Sequence, residues 1–304
     1  MARRHKGRNV HGIVLLDKPR GITSNAALQR VKRLFQAAKA GHTGSLDPMA
    51  TGMLPICLGE ATKISNFLLD ADKRYRAVCT LGVTTTTADT EGTVLHTRPV
   101  PVLTPEQLQQ IRERFSGEIV QIPPMHSAIK HQGQPLYKLA HQGLEVARQP
   151  RRVTIYHLEI TGCQGDQLEL EIHCSKGTYI RTLAEDIGEF LGCGAHLSAL
   201  ERTGVGQFDA ADLHTPEQLQ ELAEQGLEAL DQALLPMESA LWDWPDVRLT
   251  EDMAFYLRRG QAVFVPRSPS HGWVRIFTAG NRFLGMGEVQ DDGKIAPRRL
   301  VNVG

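Results

Sequence analysis

The sequence predicts an α+β protein, a larger mixed unit followed by a small β-rich one. Helical and strand periodicities are interspersed up to residue 235, short strand patterns dominate 247–304, and Trp242–Pro245 between them reads as a linker. A chain of 304 residues has room for one large domain and one small one. The expected division is 1–246 and 247–304.

Gly12–Asp17 reads as a buried strand, and Lys18-Pro19-Arg20-Gly21 as the turn that ends it. Thr23 or Ser24 can cap the following helix, where Leu28, Val31 and Phe35 recur at helical spacing and Arg30, Lys32 and Arg33 point elsewhere. Leu54–Leu58 reads as a short strand and Glu60–Leu69 as a helix. Lys73–Val83 alternates as a strand with Tyr75, Ala77, Cys79 and Leu81 on one face. Thr84–Thr87 and Asp89–Gly92 read as a polar turn, and 104–116 as a helix.

Residues 123–152 are rich in Pro, Gly, Gln, His and basic residues, with one helical patch at Leu136–Gln142. A stretch this long with weak periodicity is expected to be a protruding functional loop. Strands are expected at 153–161, 167–174 and 196–208, helices at 179–191 and 215–235. The C-terminal unit is expected to hold strands at Trp273–Phe277 and Phe283–Val289, a turn at Asp291–Gly293, and a helix at Asp252–Arg259.

Composition narrows the function classes. The formal net charge is zero, but residues 1–40 carry ten Lys/Arg against Asp17 alone, and 209–252 carry twelve Asp/Glu against Arg248 alone. A local positive face, not the sum, governs phosphate binding, so a nucleic-acid partner stays open. No apolar run approaches the ~20 residues of a membrane helix, and no secretory leader is read at the basic N-terminus. Five widely spaced cysteines without a C-x-x-C unit suggest packed thiols in the cytoplasm. His126, His131 and His141 share a segment without metal-ligand spacing and read as surface or RNA-facing groups.

The chemistry concentrates in Gly41-His-Thr-Gly-Ser-Leu-Asp-Pro-Met-Ala-Thr-Gly-Met-Leu-Pro55. Pro48 disfavours helical dihedrals at Asp47, and Gly41, Gly44 and Gly52 free the backbone around it. A carboxylate so displayed can be a nucleophile, a base or the anchor of an Asx-turn. A second focus is Ser175-Lys-Gly-Thr-Tyr-Ile-Arg181. Thr178 as helix cap would place Arg181 in the first turn, against the helix dipole by ~0.3–1 kcal/mol. That placement suits a cation with a carboxylate partner or an ordinary surface arginine.

Several motifs run collinearly along the chain: Gly12–Ser24, Gly41–Pro55, Asp72-Lys-Arg-Tyr-Arg76, Ser127-Ala-x-Lys130, Cys174–Thr182, Gly194-Ala-His196, Gly285-x-Gly-Glu-Val289 and Ala296–Leu300. Together they resemble the TruB family of tRNA pseudouridine synthases over nearly the whole length. The resemblance implies a catalytic domain on a mixed β-sheet, 123–152 as an RNA-gripping insertion, and a β-barrel-like PUA-type domain over 247–304. It implies isomerisation of the uridine at position 55 in the tRNA T-loop, with no cofactor, by a monomer without an obligate protein partner. Asp47 matches the family's essential aspartate and Arg181 the arginine that pairs with it and favours its ionised form. Tyr75 matches the tyrosine that stacks on the flipped uracil, His42 an RNA-contacting histidine, and Tyr179 and Leu200 residues lining the uracil pocket. Lys18 and Lys130 match positions suited to phosphate or active-site contacts.

Three positions depart from the family pattern. Thr86 stands where an acid is common, and His126 and His141 stand where Tyr and Arg are expected. With His141 in place of an arginine, RNA affinity is expected to weaken as pH rises through neutrality. Two rivals are an RNA-binding or tRNA-folding module in which catalysis is secondary, and an aspartate-dependent hydrolase. The set Asp47, Tyr75 and Arg181 speaks against a pure binder, and the missing partner acid or metal motif against the hydrolase.

Overall fold

The computed structural model describes residues 7–302. Strand β1 (Gly12–Lys18) leads into helix α1 (Ser24–Leu34), then β2 (Ala40–His42) and β3 (Thr51–Leu58). A 3-10 turn (Gly59–Lys63) precedes α2 (Ser65–Asp70), β4 (Lys73–Leu81), and the hairpin of β5 (Val83–Thr85) and β6 (Val94–Thr97). Helix α3 (Pro105–Phe115) and β7 (Gly117–Gln121) lead to the insertion, with β8 (Lys130–His131), β9 (Gln134–Pro135) and α4 (Leu136–His141). Then come β10 (Arg151–Gln164), β11 (Gln167–Cys174), α5 (Ile180–Phe190) and β12 (Ala195–Val205), followed by α6 (Pro216–Gln225) and α7 (Leu227–Asp231). The last part holds β13 (Asp246–Leu249), α8 (Glu251–Arg258), β14 (Val263–Phe264), β15 (Gly272–Thr278), β16 (Phe283–Val289) and β17 (Lys294–Leu300).

The large sheet has eight strands in the order β1-β3-β12-β4-β11-β10-β7, with β2 also on β3. It is mixed, because β12 lies parallel to β3 where Glu201 meets Thr51 and Arg202 meets Gly52, and antiparallel to β4. One face packs against α3 and α5 through residues such as Cys79, Leu81, Ile111, Leu183 and Ile187. Helices α1 and α6 cover β1 and β3 through Val14, Leu16, Leu28, Val31, Leu54 and Leu219. The α+β reading of the sequence is therefore what the chain folds into. A five-stranded sheet in the order β13-β15-β16-β17-β14 forms the smaller, PUA-like unit, around its own core of Val274, Ile276 and Leu257.

Several boundaries differ from the sequence reading, each for a physical reason. Trp242–Pro245 is not a loose linker. Trp244 packs edge-on to Phe67 at 4.8 Å and against Trp273 at 5.2 Å, so its ring ties the two sheets together. Phe277, Phe283 and Met286 of the small sheet share a core with Ile13, Leu15 and Met53 of the large one. Lys73–Val83 breaks at Gly82 (φ +82°), and Val83–Thr85 pairs with Val94–Thr97 as a hairpin instead of joining a plain polar turn. The helix read at Glu60–Leu69 splits at Ile64, and the acidic helix splits at Gly226 (φ +120°). Strands Gly117–Gln121 and Asp246–Leu249 escaped the pattern reading because five and four residues are too few for a period to stand out.

The charge asymmetry is partly internal. Arg8 donates two 2.6 Å hydrogen bonds to Asp231, so the basic N-terminal segment docks on the acidic one. Arg3, Arg4 and Lys6 lie outside the described residues. Four cysteines are buried and Cys163 is exposed. Among the described residues no helix is long and apolar enough to cross a membrane.

Helix α5 carries a removable cost. Burial, then Asp186, pushes the Glu185 carboxyl up to about 7. The folded chain thus holds this proton more tightly than the unfolded chain, and stability falls as pH rises from ~4.5 to ~7. Glu185→Gln is expected to raise Tm at about pH 8, by roughly 2–4 °C per kcal/mol recovered, and to have no such effect at about pH 4.5. Calorimetry at both pH values checks this; a Tm unchanged at the higher pH contradicts it.

Candidate active site

The Asp47 loop joins β2 to β3 and is tacked down along its length. Ser24 Oγ accepts from Leu46 N at 2.7 Å and donates to Leu46 O at 3.0 Å, which leaves Thr23 to cap α1 by accepting from Ala26 N. Gly21 N donates to Pro48 O at 2.7 Å, and Ala50 N donates to Asp47 O. Leu46, Met49 and Ala50 anchor the loop in the core while Asp47 stays 37% exposed between them. Gly44 (φ +119°) and Gly52 (φ +92°) need their conformations, and at Gly52 a Cβ would collide with the Arg202 backbone. Gly41 does not, since a Cβ there would meet nothing closer than 3.9 Å.

Arg181, only 5% exposed at its side chain, meets this loop from the first turn of α5. Nε lies 2.9 Å from Asp47 Oδ2, and Nη2 donates to Asp47 Oδ1 at 3.4 Å. The rest of the fork binds Thr87 O at 3.0 Å and His126 O at 2.7 Å, with Asp89 Oδ2 3.7 Å from Nη1. The arginine has the carboxylate partner that its position in the helix called for. Thr178 is not the helix cap: its hydroxyl donates to Ser175 O, and Tyr179 holds the cap position without a side-chain cap bond. Instead Gln121, 1% exposed, clamps the Tyr179 backbone, accepting from its N–H at 3.0 Å and donating to its carbonyl at 3.1 Å.

Asp89 is the residue that sequence reasoning missed as a member of the site. It is 3% exposed, its Oδ1 accepts from Thr87 Oγ1 and Glu91 N, and its backbone bridges to Leu197. Its signal was the Thr-Ala-Asp turn, visible only as a departure from a pattern. Arg181 favours the ionised form of Asp47, as expected, but burial outweighs it. Burial raises the Asp47 carboxyl above the ordinary range, and Asp89 adds to the rise against the pull of Arg181 and Lys18.

The other expected residues divide between the site and its frame. Tyr75 on β4 is half-buried against the main core, near Leu46, Met49 and Leu200, and burial raises its phenol. Leu200 is 8% exposed in the same cluster, directly across from Ala77. Tyr179 is half-buried, its phenol also raised by burial. His42 ends β2 with Nδ1 buried and unpartnered, and burial followed by Arg202 lowers its pKa, favouring the neutral ring. Lys18 is not open to phosphate. It is 0% exposed, donates to Pro19 O and Ile22 O, and burial lowers its pKa to about 8. Lys130 is exposed on the insertion hairpin.

The insertion is an ordered small fold, in which Leu136 and Leu139 are buried and Leu136 N and Tyr137 N return to Ile129 O and Ser127 O. Thr86 accepts from Thr93 N and so closes the β5–β6 turn itself. His126 enters the site through its backbone carbonyl; the His141 side chain lies outside what is described.

Residues 32–180 match the TruB family pseudouridylate synthase N-terminal domain, 181–242 the tRNA pseudouridylate synthase B C-terminal domain, and 245–301 the pseudouridine synthase II TruB C-terminal domain. The tRNA pseudouridine synthase B of Nitrosococcus oceani is 58% identical over 98% of this chain and 97% of its own. The chain belongs to the TruB family. The relative of that name from Tolumonas auensis is 56% identical over 99% of this chain and 95% of its own. Among solved structures, one of a Cbf5-Nop10-Gar1 complex is similar with a TM-score of 0.72 at 27% identity, covering 96% of this chain and 84% of that one. An H/ACA RNP bound to a substrate RNA containing 2′-deoxyuridine is similar with a TM-score of 0.72 at 25% identity, over 95% and 84%. The TruB-family sheet thus places Asp47 where three chain-distant segments meet.

The two carboxylates on Arg181 give a measurable signature. Carbon-detected NMR titration is expected to place the Asp47 carboxyl above the ordinary carboxylate range, and Asp89→Asn to move it down. A shift upward, or none, contradicts the assigned coupling.

Proposed function

We propose that this TruB-family chain isomerises a uridine of tRNA to pseudouridine, at position 55 in the T-loop, with Asp47 as the essential carboxylate. The observation that carries the reading is the Asp47–Arg181 pair, set at 2.9 Å in a chain 58% identical to a tRNA pseudouridine synthase B. The reaction breaks the N1–C1′ bond, turns the uracil, and forms a C5–C1′ bond while the C5 proton leaves. No redox or phosphoryl step occurs. Asp47 serves as a nucleophile toward base or sugar, or as a base toward a sugar proton; both roles use the ionised form that Arg181 orients.

The target uridine must leave its stack, at a cost of a few kcal/mol. Tyr75 offers a ring for the flipped uracil, and base–aromatic stacking returns roughly 1–3 kcal/mol. Leu200 and Tyr179 supply the remaining walls, and His42 sits at the loop entrance as an RNA contact. Residues 123–152 act as the RNA-gripping insertion of a catalytic unit 1–246, and the PUA-like unit 247–304 takes a further part of the tRNA. The chain works as a monomer in the cytoplasm, where its substrate is. Lys130 and neighbouring basic residues meet phosphate as exposed cations.

Pseudouridine mapping of a tRNA transcript after incubation with the protein tests this reading. The unaltered chain is expected to modify one T-loop uridine. Asp47→Asn is expected to bind the transcript with near-unchanged affinity and to lose at least ~10³-fold in single-turnover rate. Arg181→Lys, which cannot reproduce the fork, is expected to lose ~10²–10³-fold. Turnover by Asp47→Asn, or no product from the unaltered chain, contradicts the assignment.

A further inference from the structure

Arg202 is unused by the function proposed above, yet it is among the largest fully buried side chains, at 1% exposure. Its Nε donates to Met53 O at 2.7 Å and its Nη2 to Gly44 O at 3.2 Å. Those carbonyls flank Asp47, one near the start of its loop and the other in β3, the strand that follows the loop. Among the described residues no carboxylate forms an ion pair with Arg202. Removing a guanidinium from water without a countercharge is costly, and a well-packed apolar residue would avoid that cost. The arginine therefore does something that burial alone does not explain.

Its surroundings point to the site. Arg202 lies across from Tyr75 on β4 and across from Gly52 on β3, at the only parallel pairing in the large sheet. Directly opposite residues of an antiparallel pair share a face of the sheet, and the Arg202 charge opposes the rise that burial imposes on the Tyr75 phenol. A Cβ on Gly44 would lie 3.7 Å from its Nη1, so the loop passes within van der Waals contact of the guanidinium. The same charge is felt by His42, Lys18 and Lys73, the other titratable groups packed around it. Lys18 and Lys73 end on backbone carbonyls, Lys18 on Pro19, Ile22 and, at 3.5 Å, Pro48 in the middle of the loop, Lys73 on Leu68, Leu69 and Ala71, so neither bridges the Gly44 and Met53 carbonyls that Arg202 holds.

We propose that Arg202 is a positioning residue for the isomerisation. By bridging the Gly44 and Met53 carbonyls from beneath, it sets the span of the Asp47 loop and seats the Tyr75 hydroxyl beside it. It touches no substrate and acts through Asp47 and Tyr75, and the proposal rests on the function assigned above. A lysine keeps the charge but has no planar fork, so it reaches one carbonyl and leaves the other unheld.

Arg202→Lys, Arg202→Met, Tyr75→Phe and the Arg202→Lys/Tyr75→Phe pair are compared with the unaltered chain. Single-turnover pseudouridine formation, tRNA affinity by filter binding and Tm are measured on each. Arg202→Lys is expected to lose about 10²-fold in rate, as a loop displacement of ~1 Å does, with tRNA affinity held within about threefold. The losses of Arg202→Lys and Tyr75→Phe are expected to combine to less than their product, because both act on one hydroxyl. A lysine variant within about threefold of the unaltered rate overturns the proposal. So does one that loses its cooperative melt, or whose tRNA affinity falls with its rate, since Arg202 would then serve the fold alone. Fully multiplicative losses also overturn the link to Tyr75. An unaltered chain that forms no pseudouridine refutes the assigned function instead, and is told apart by that control.

Discussion

The guanidinium of Arg181 is the constraint on which the site depends. A planar fork with five fixed donors meets the Asp47 loop, the carbonyl of Thr87 and the carbonyl of His126, three segments remote in sequence. Each partner fixes the others, because the donors of an arginine cannot be re-aimed one at a time. The insertion is therefore bonded to the same side chain that orients the carboxylate. Gln121, where β7 enters that insertion, holds the backbone of Tyr179 two residues before Arg181. The placement of the insertion and the alignment of Asp47 share a mechanical path of two residues.

Much of this was legible in the sequence, and the exceptions have physical causes. Asp47 and Arg181 stood out because their types and surroundings are unusual: an acid before proline among glycines, and a cation in a first helical turn. The interspersed helices and strands followed from periodicity, the mixed sheet from the family resemblance, and the small β-rich unit from its short strand patterns. Asp89 was hidden because a Thr-rich turn gives no hint that its carboxylate folds inward under Arg181. Of the two roles that the resemblance offered Lys18, phosphate or active-site contact, the chain wraps it in carbonyls and leaves it only the second, with Nζ 3.5 Å from Pro48 O beside Asp47. The Trp242–Pro245 segment was misread. A short stretch between two differently patterned regions looks like a linker until Trp244 finds partners on both sides.

Electrostatics in the site pull against simple pairing. A carboxylate beside an arginine is expected to be held low, but burial and a second carboxylate lift Asp47 above its ordinary range. A carboxylate that binds its proton more tightly is, once ionised, a stronger base and a stronger nucleophile than a fully solvated one. Around it, Arg181, Arg202, Lys18 and Lys73 are all at most 7% exposed, so the floor of the site is built of buried cations.

Strands β3 and β4 are consecutive along the main sheet's chain path, yet β12 lies between them. Until residues 195–205 arrive, two strand edges face an empty slot, and the carboxylate loop has no floor. Long-range insertion of this kind is slow, and unpaired edges invite the wrong partner. During synthesis the nascent chain must therefore wait for its thirteenth-hour strand with an open seam in its middle. Catalytic competence is consequently a property acquired late and all at once, so a truncated or stalled product carries the essential aspartate without a working centre.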